Sequence, residues 1–168
     1  MTAQNIRKAI ESVETQMRSQ TGPKPDLAAT AEIESGLRCR IQSADGKFVH
    51  TDMSESIGGT GTANSPGWLM RAAIASCDAT LLAMRAARTG IELDSIKVTV
   101  EAKSDGRGMF LDEGISPAST EVRVLFDIRS ANATREQVQE LVDWVAAHAP
   151  VANDISHAVD ISYELKTS

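Results

Sequence analysis

The segment from Ser65 to Arg88 constrains this chain most. Ser65 followed by Pro66 is a strong helix start, with serine as cap and proline in the first turn. Gly90 stands where a helix C-terminus favours glycine. Between them, Arg71, Asp78 and Arg85 recur every seven residues as one stripe, and the rest is mainly Ala, Leu, Ile, Met and Cys. A helix of that length is about 35 Å long, roughly the width of a small domain. Its composition predicts a mostly buried central helix, with the charged stripe as a solvated or interface face. Whatever else the chain builds must cover it.

The flanking patterns supply strands of period two and two shorter helices. Ile6, Ile10, Val13 and Met17 recur at helical spacing, predicting a surface helix over residues 2–20. Thr21-Gly22-Pro23 closes it, and Pro23 and Pro25 make an extended linker. Residues 27–53 alternate as an antiparallel meander, with a hairpin turn at Ser43-Ala44-Asp45-Gly46. Strands are expected at Ile96–Lys103, Val122–Ile128 and Val159–Leu165, and a long loop at Ser104–Pro117. Thr134 to Gln137 matches a capping box before the apolar stripe Val138, Leu141, Val142 and Val145, in a helix that Pro150 ends. Strands and helices that do not alternate strictly speak for α+β with a largely antiparallel sheet. A short meander cannot cover a 35 Å apolar helix alone, so a second copy of the chain is expected on it. The organisation reads as an N-terminal helix (1–22), a linker (23–26) and one α+β domain (27–168).

Composition narrows the function. The 168 residues carry 17 Lys and Arg against 23 Asp and Glu, a formal charge of −6, and no basic face is visible for nucleic acid. Two cysteines and three scattered histidines exclude a disulfide scaffold and argue against a zinc site. The first 18 residues lack the apolar core of a signal peptide, and the charges of the 68–87 stretch make it a poor membrane span. The chain reads as cytoplasmic.

Few residues offer chemistry. The loop Gly58-Gly59-Thr60-Gly61-Thr62 lacks the third glycine of a dinucleotide fingerprint and the Lys-Ser/Thr pair of a phosphate loop. It reads as a flexible turn into the capped helix. Cys77 lies twelve residues into that helix, on a face with Met70, Ile74 and Leu81. That is too far from the N-terminus for the dipole to activate a thiol, so a reactive Cys77 needs a cation from elsewhere, such as Arg38 or Arg40. Cys39 reads as core packing between Leu37 and Ile41. His148 and His157 flank Pro150 and read as surface or cap residues.

The run Gly58–Pro66, then Leu69, Ala72-Ala73-Ile74-Ala75-Ser76-Cys77 and Gly90-Ile91, resembles the osmotically inducible protein C and organic hydroperoxide resistance (OsmC/Ohr) family. The resemblance runs from about Ile33 to Leu165 and is most specific over Gly58–Cys77. It implies an antiparallel sheet wrapped around a long central helix in an intertwined homodimer, with sites at the dimer interface. It also implies a stress-response peroxidase that reduces organic hydroperoxides without a cofactor or metal. In active members a peroxidatic cysteine attacks the peroxide, an arginine and a glutamate assist, and a second cysteine resolves the product. Cys77 matches the peroxidatic position. The resolving position holds Ala149 and the glutamate position Gly67, while the arginine position falls on Leu37, with Arg38 and Arg40 one slip away. The expected site is therefore Cys77 with Arg38 and Arg40, and Met70, Ile74 and Leu81 around the substrate. An external thiol would serve as reductant. The alternative is a non-catalytic dimer that binds a small hydrophobic ligand around Cys77. The dimer is checked by sedimentation at micromolar concentration: twice the 18.0 kDa chain mass is expected, and an 18.0 kDa species contradicts it.

Overall fold

The structure is a computed structural model that describes residues 2–111, 114–157 and 159–167. In chain order it holds α1 (Ala3–Met17), β1 (Ala29–Ser35), β2 (Arg38–Ser43), β3 (Phe48–Thr51), α2 (Pro66–Thr89), β4 (Ser95–Ser104), α3 (Arg107–Phe110), β5 (Ser119–Arg129), α4 (Arg135–His148) and α5 (Pro150–Ser156). A single 3₁₀ turn, Glu55–Ile57, precedes the glycine loop. Two compact units result. The meander unit is Ser12–Ala73, and the C-terminal unit takes the described residues of Met1–Glu11 and Ile74–Ser168.

In the meander unit, β1, β2 and β3 form an antiparallel sheet in that order. Gly46 takes φ +85° at the hairpin that the Asp-Gly pair marks. Alternation separates two faces: Arg40 pairs with Glu32 and His50, whereas Cys39 pairs with Ile33 and Thr51. The polar face carries Glu32, Glu34, Arg38, Arg40 and His50, and the other carries Ile33, Cys39, Ile41 and Thr51.

The glycine loop is not the flexible turn that its composition suggests. Asp52, 1% exposed, places its carboxylate inside it. The Met53, Thr60 and Thr62 N–H groups donate to that carboxylate at 2.8, 3.2 and 3.2 Å. The Thr60 and Thr62 hydroxyls donate at 2.5 and 3.1 Å. Gly59 is demanded by contact, since a Cβ there would lie 1.9 Å from the Met53 carbonyl oxygen. The anchored loop leads into α2, where the Ser65 hydroxyl accepts the Trp68 N–H at 3.3 Å.

In the C-terminal unit, β4 and β5 form a two-stranded antiparallel sheet. Leu82, Ala86, Leu141, Val145 and Ala149 form the core, with Phe126, Ile128 and Trp144 packed against it. The capping box opens α4 with both halves made: Gln137 N–H donates to the Thr134 hydroxyl, and the Gln137 side chain accepts from the Thr134 N–H. Pro150 ends α4 and starts α5 in its first turn, a helix that the pattern had not indicated.

Within one chain only Ile74, Asp78, Leu82, Ala86 and Ala87 of α2 are buried, which leaves the rest of the helix for the expected second copy to cover. Three further expectations are corrected. Asp78, expected on a solvated or interface face, is 4% exposed because it falls between Ile74 and Leu82 at four-residue spacing. Residues 159–165 form no strand. Val159, Ile161, Tyr163 and Leu165 are 61%, 75%, 91% and 87% exposed, because no ladder partner within the described residues takes up their alternation. The expected 104–117 loop contains α3, while positions 112 and 113 lie outside the described residues.

Thr60 above all, with the backbone donors, holds the Asp52 carboxyl well below its ordinary value of 3.8, against the opposing cost of desolvation. A depressed folded value makes its stabilising contribution complete above pH 3.8 and lost as the pH falls through the folded value. Asp52→Ala should lower the melting temperature at neutral pH and speed amide exchange at 58–62. The gap from the native chain should narrow in strong acid. A pH-independent gap contradicts the assignment.

Candidate functional site

The site residues divide between two environments. Cys77 is a free, half-buried thiol packed against the Leu82–Ala149 core of the C-terminal unit. Leu81 packs against the same core, and Ile74 is 2% exposed. Ala149 is fully buried within it, so the core against which the thiol packs carries a methyl group and no sulfur at that position. Beside Cys77 in sequence, the Asp78 carboxyl is buried and its Oδ1 makes no hydrogen bond among the described residues. Desolvation raises its pKa above 3.8. Farther along α2, the Arg85 guanidinium lies 4.9 Å from the Trp144 ring centroid, and Trp144 stacks on His148 at 4.2 Å.

Met70 belongs to the meander unit. It lines an apolar groove of about 550 Å³ between the sheet and the start of α2, with Ile33, Leu37, Cys39, Ile41 and Leu69. Cys39, expected as core packing, is a partly exposed wall of that groove. Because β2 alternates, Arg38 and Arg40 leave by the opposite face. Arg38 donates to the Thr62 hydroxyl at 2.7 Å and pairs with Glu34 at 3.4 Å. His50 Nε2 reaches the same Glu34 oxygen at 3.2 Å. Arg40 lies over the Phe48 ring, 4.4 Å from its centroid, with Nε buried and unbonded among the described residues. A continuous polar chain thus runs from Asp52 through Thr62, Arg38 and Glu34 to His50. Sequence reading missed Asp52. Its signal was an aspartate just ahead of a glycine loop that carries threonines two residues apart.

Among the described residues no helix is long and apolar enough to cross a membrane, and no group of three or more His, Cys, Asp or Glu is placed to hold a metal.

The family model described as OsmC-like protein matches residues 59–164, well over half of the chain. The chain belongs to the OsmC-like protein family. The fold agrees. The organic hydroperoxide resistance protein OsmC of Legionella pneumophila superposes with a TM-score of 0.59 at 20% identity, covering 83% of this chain and 95% of the other. The organic hydroperoxide resistance protein OhrB of Bacillus subtilis gives 0.53 at 24% identity, over 84% and 98%. The OsmC-like protein of Mycoplasma pneumoniae gives 0.64 at 16% identity, over 82% and 91%. No curated protein matches the sequence. This OsmC-like chain is an α+β protein of mixed helix and antiparallel sheet, as expected.

Asp78 yields a test. A carboxyl whose folded pKa is raised loses stability as the pH climbs from 3.8 through the folded value. Asp78→Asn should therefore raise the melting temperature at pH 7, and the gain should shrink toward pH 4. A fall at pH 7 would show that a cation meets Asp78 in the assembled protein.

Proposed function

We propose that this OsmC-like protein is a stress-related thiol reductant of organic hydroperoxides, with Cys77 as nucleophile and an external thiol completing the cycle. One observation supports the reading: Cys77, which the resemblance assigns to the peroxidatic position, is a free, half-buried thiol, and the core against which it packs contains Ala149. Apolar surroundings suit an alkyl peroxide. The thiolate sulfur attacks the outer peroxide oxygen, the O–O bond breaks, and an alcohol leaves while Cys77 becomes a sulfenic acid. An external thiol then condenses with the sulfenic acid, releasing water and forming a mixed disulfide. A second thiol cleaves that disulfide and restores Cys77. The cycle needs no metal or cofactor.

Arg38 and Arg40 are candidates for the assisting cation. Their engagement with Thr62, Glu34 and Phe48 favours a second reading, in which a non-catalytic dimer binds a small hydrophobic ligand around Cys77. Ile74 and Leu81, in the same unit as Cys77, are proposed as substrate contacts under either reading. The homodimer is supported by the exposed apolar side chains of Val159, Ile161, Tyr163 and Leu165, which a second copy would cover. A cytoplasmic setting fits the use of free thiols and an external reductant.

Installing the missing partner tests the reading. In Ala149→Cys, stoichiometric alkyl hydroperoxide should yield an intramolecular disulfide between Cys77 and the introduced thiol, whereas the native chain should yield a sulfenic acid that a dimedone probe traps. Peroxide consumption by both should vanish in Cys77→Ser. Unchanged consumption in Cys77→Ser contradicts the proposal.

A further inference from the structure

The first two turns of α1 lie within the C-terminal unit and leave room beside them. Ala3 and Ile6 share an apolar cavity of about 250 Å³ with Ala83 and Ala87 of α2 and with Ile91 and Ile96. The short side chains of α2 do not fill it, and no residue of α1 is buried. A second cavity of about 170 Å³ adjoins the first, because Ala3, Ala87, Ile91 and Glu92 line both. It adds Gln4, Arg7 and Gly90. The α1 residues precede the 59–164 segment that matches the family, so the likeness does not account for these cavities.

The walls specify what fits. A dry apolar cavity of about 150 Å³ takes benzene, so the larger cavity has room for a chain of about six carbons. Among the described residues, Glu92 is the only charged group on its wall. The Glu92 carboxylate makes no ion pair or hydrogen bond among them. Only its backbone carbonyl is engaged, accepting from the Ser130 hydroxyl at 2.6 Å. α2 ends at Thr89, with Gly90 at φ +77° on the wall of the smaller cavity, so the negative end of the helix dipole lies there. Arg7, which lines the smaller cavity, ion-pairs with Glu11 at 3.1 Å. Apolar walls that end at an unpaired carboxylate and a helix C-terminus favour a chain with a cationic head.

We propose that the two cavities form a binding site for a short alkylammonium ion, with its chain between α1 and α2 and its head at Glu92. The ammonium donates to the Glu92 carboxylate, and the chain covers Ala83, Ala87 and Ile91. An alcohol of the same length lacks the charge. A fatty carboxylate brings the wrong sign to both Glu92 and the helix end. The site stands apart from Cys77 and does not depend on the peroxide reading.

The experiment is an amide NMR titration of the full chain at pH 7 with hexylammonium, 1-hexanol and hexanoate. Hexylammonium should shift the amides of residues 3–7 and 83–96 and bind about fivefold tighter than hexanol, with hexanoate weakest. Glu92→Gln should remove the preference for the amine and leave hexanol binding unchanged. Ala83→Leu, which fills the chain's space, should weaken both amine and alcohol. Should Ala83→Leu fail to fold, the exposed Glu92→Gln and the three probes still decide. Cys77→Ser should bind hexylammonium as the native chain does. Equal affinity for the amine and the alcohol overturns the proposal, as does tighter binding of hexanoate. Shifts confined to other residues overturn it too, as does loss of binding in Cys77→Ser, which would place the amine at the thiol. So does amine affinity that falls as protein concentration rises, which would show a second copy filling the cavities.

Discussion

The Asp52 carboxylate organises the meander unit. A buried charge is costly unless donors surround it, and here two backbone N–H groups and two hydroxyls of residues 60–62 do so, with the Met53 N–H behind them. Closing the loop onto Asp52 brings Gly59 against the Met53 carbonyl. The same closure sets the Thr62 hydroxyl where Arg38 can donate to it. It also delivers the chain to Ser65 in position to cap α2. The interaction thus connects a strand end, a loop, a cation on the sheet and the start of the helix that carries Cys77. Glycines without that anchor would leave the helix entry unspecified.

Much of this architecture was legible because local chemistry decides it. The Ser-Pro start and Gly90 stop of α2, the Asp-Gly hairpin and the Thr134–Gln137 capping box all act over four residues or fewer, and each forms as read. What was not legible depends on partners distant in sequence. Asp78 recurs in a charged stripe, but burial is set by which side of α2 meets the core, and the side bearing Ile74 and Leu82 meets it. The alternation of Val159–Leu165 describes a strand whose existence requires an edge to pair with, and alternation alone does not supply one. α5 is seven residues long, too short for a periodic signal.

The candidate site divides along the same line. Cys77, on a helix with strong boundaries, was placed by sequence, and the identity of residue 149 as alanine followed from the motif. The arginines were not settled, because a one-residue slip in a strand exchanges its faces. The observed register sends Arg38 and Arg40 to the polar face and turns Leu37 and Cys39 toward the groove. A thiol read as packing thereby becomes a groove wall, and the two cations expected beside Cys77 engage Thr62, Glu34 and Phe48. This family member carries its thiols in two different apolar settings. One lies on the long helix beside a buried carboxyl, and the other lies on a strand beside a buried hydroxyl.

Under the proposed function Cys77 is a working nucleophile that depends on an outside thiol. The most direct measurement is turnover of an alkyl hydroperoxide by the native chain, with and without a small dithiol, in parallel with Cys39→Ser. One peroxide should be consumed per Cys77 without reductant, with continuous consumption once the dithiol is present and continued turnover in Cys39→Ser. A native chain that consumes no peroxide with the dithiol present, or a Cys39→Ser variant that loses all turnover, would contradict it.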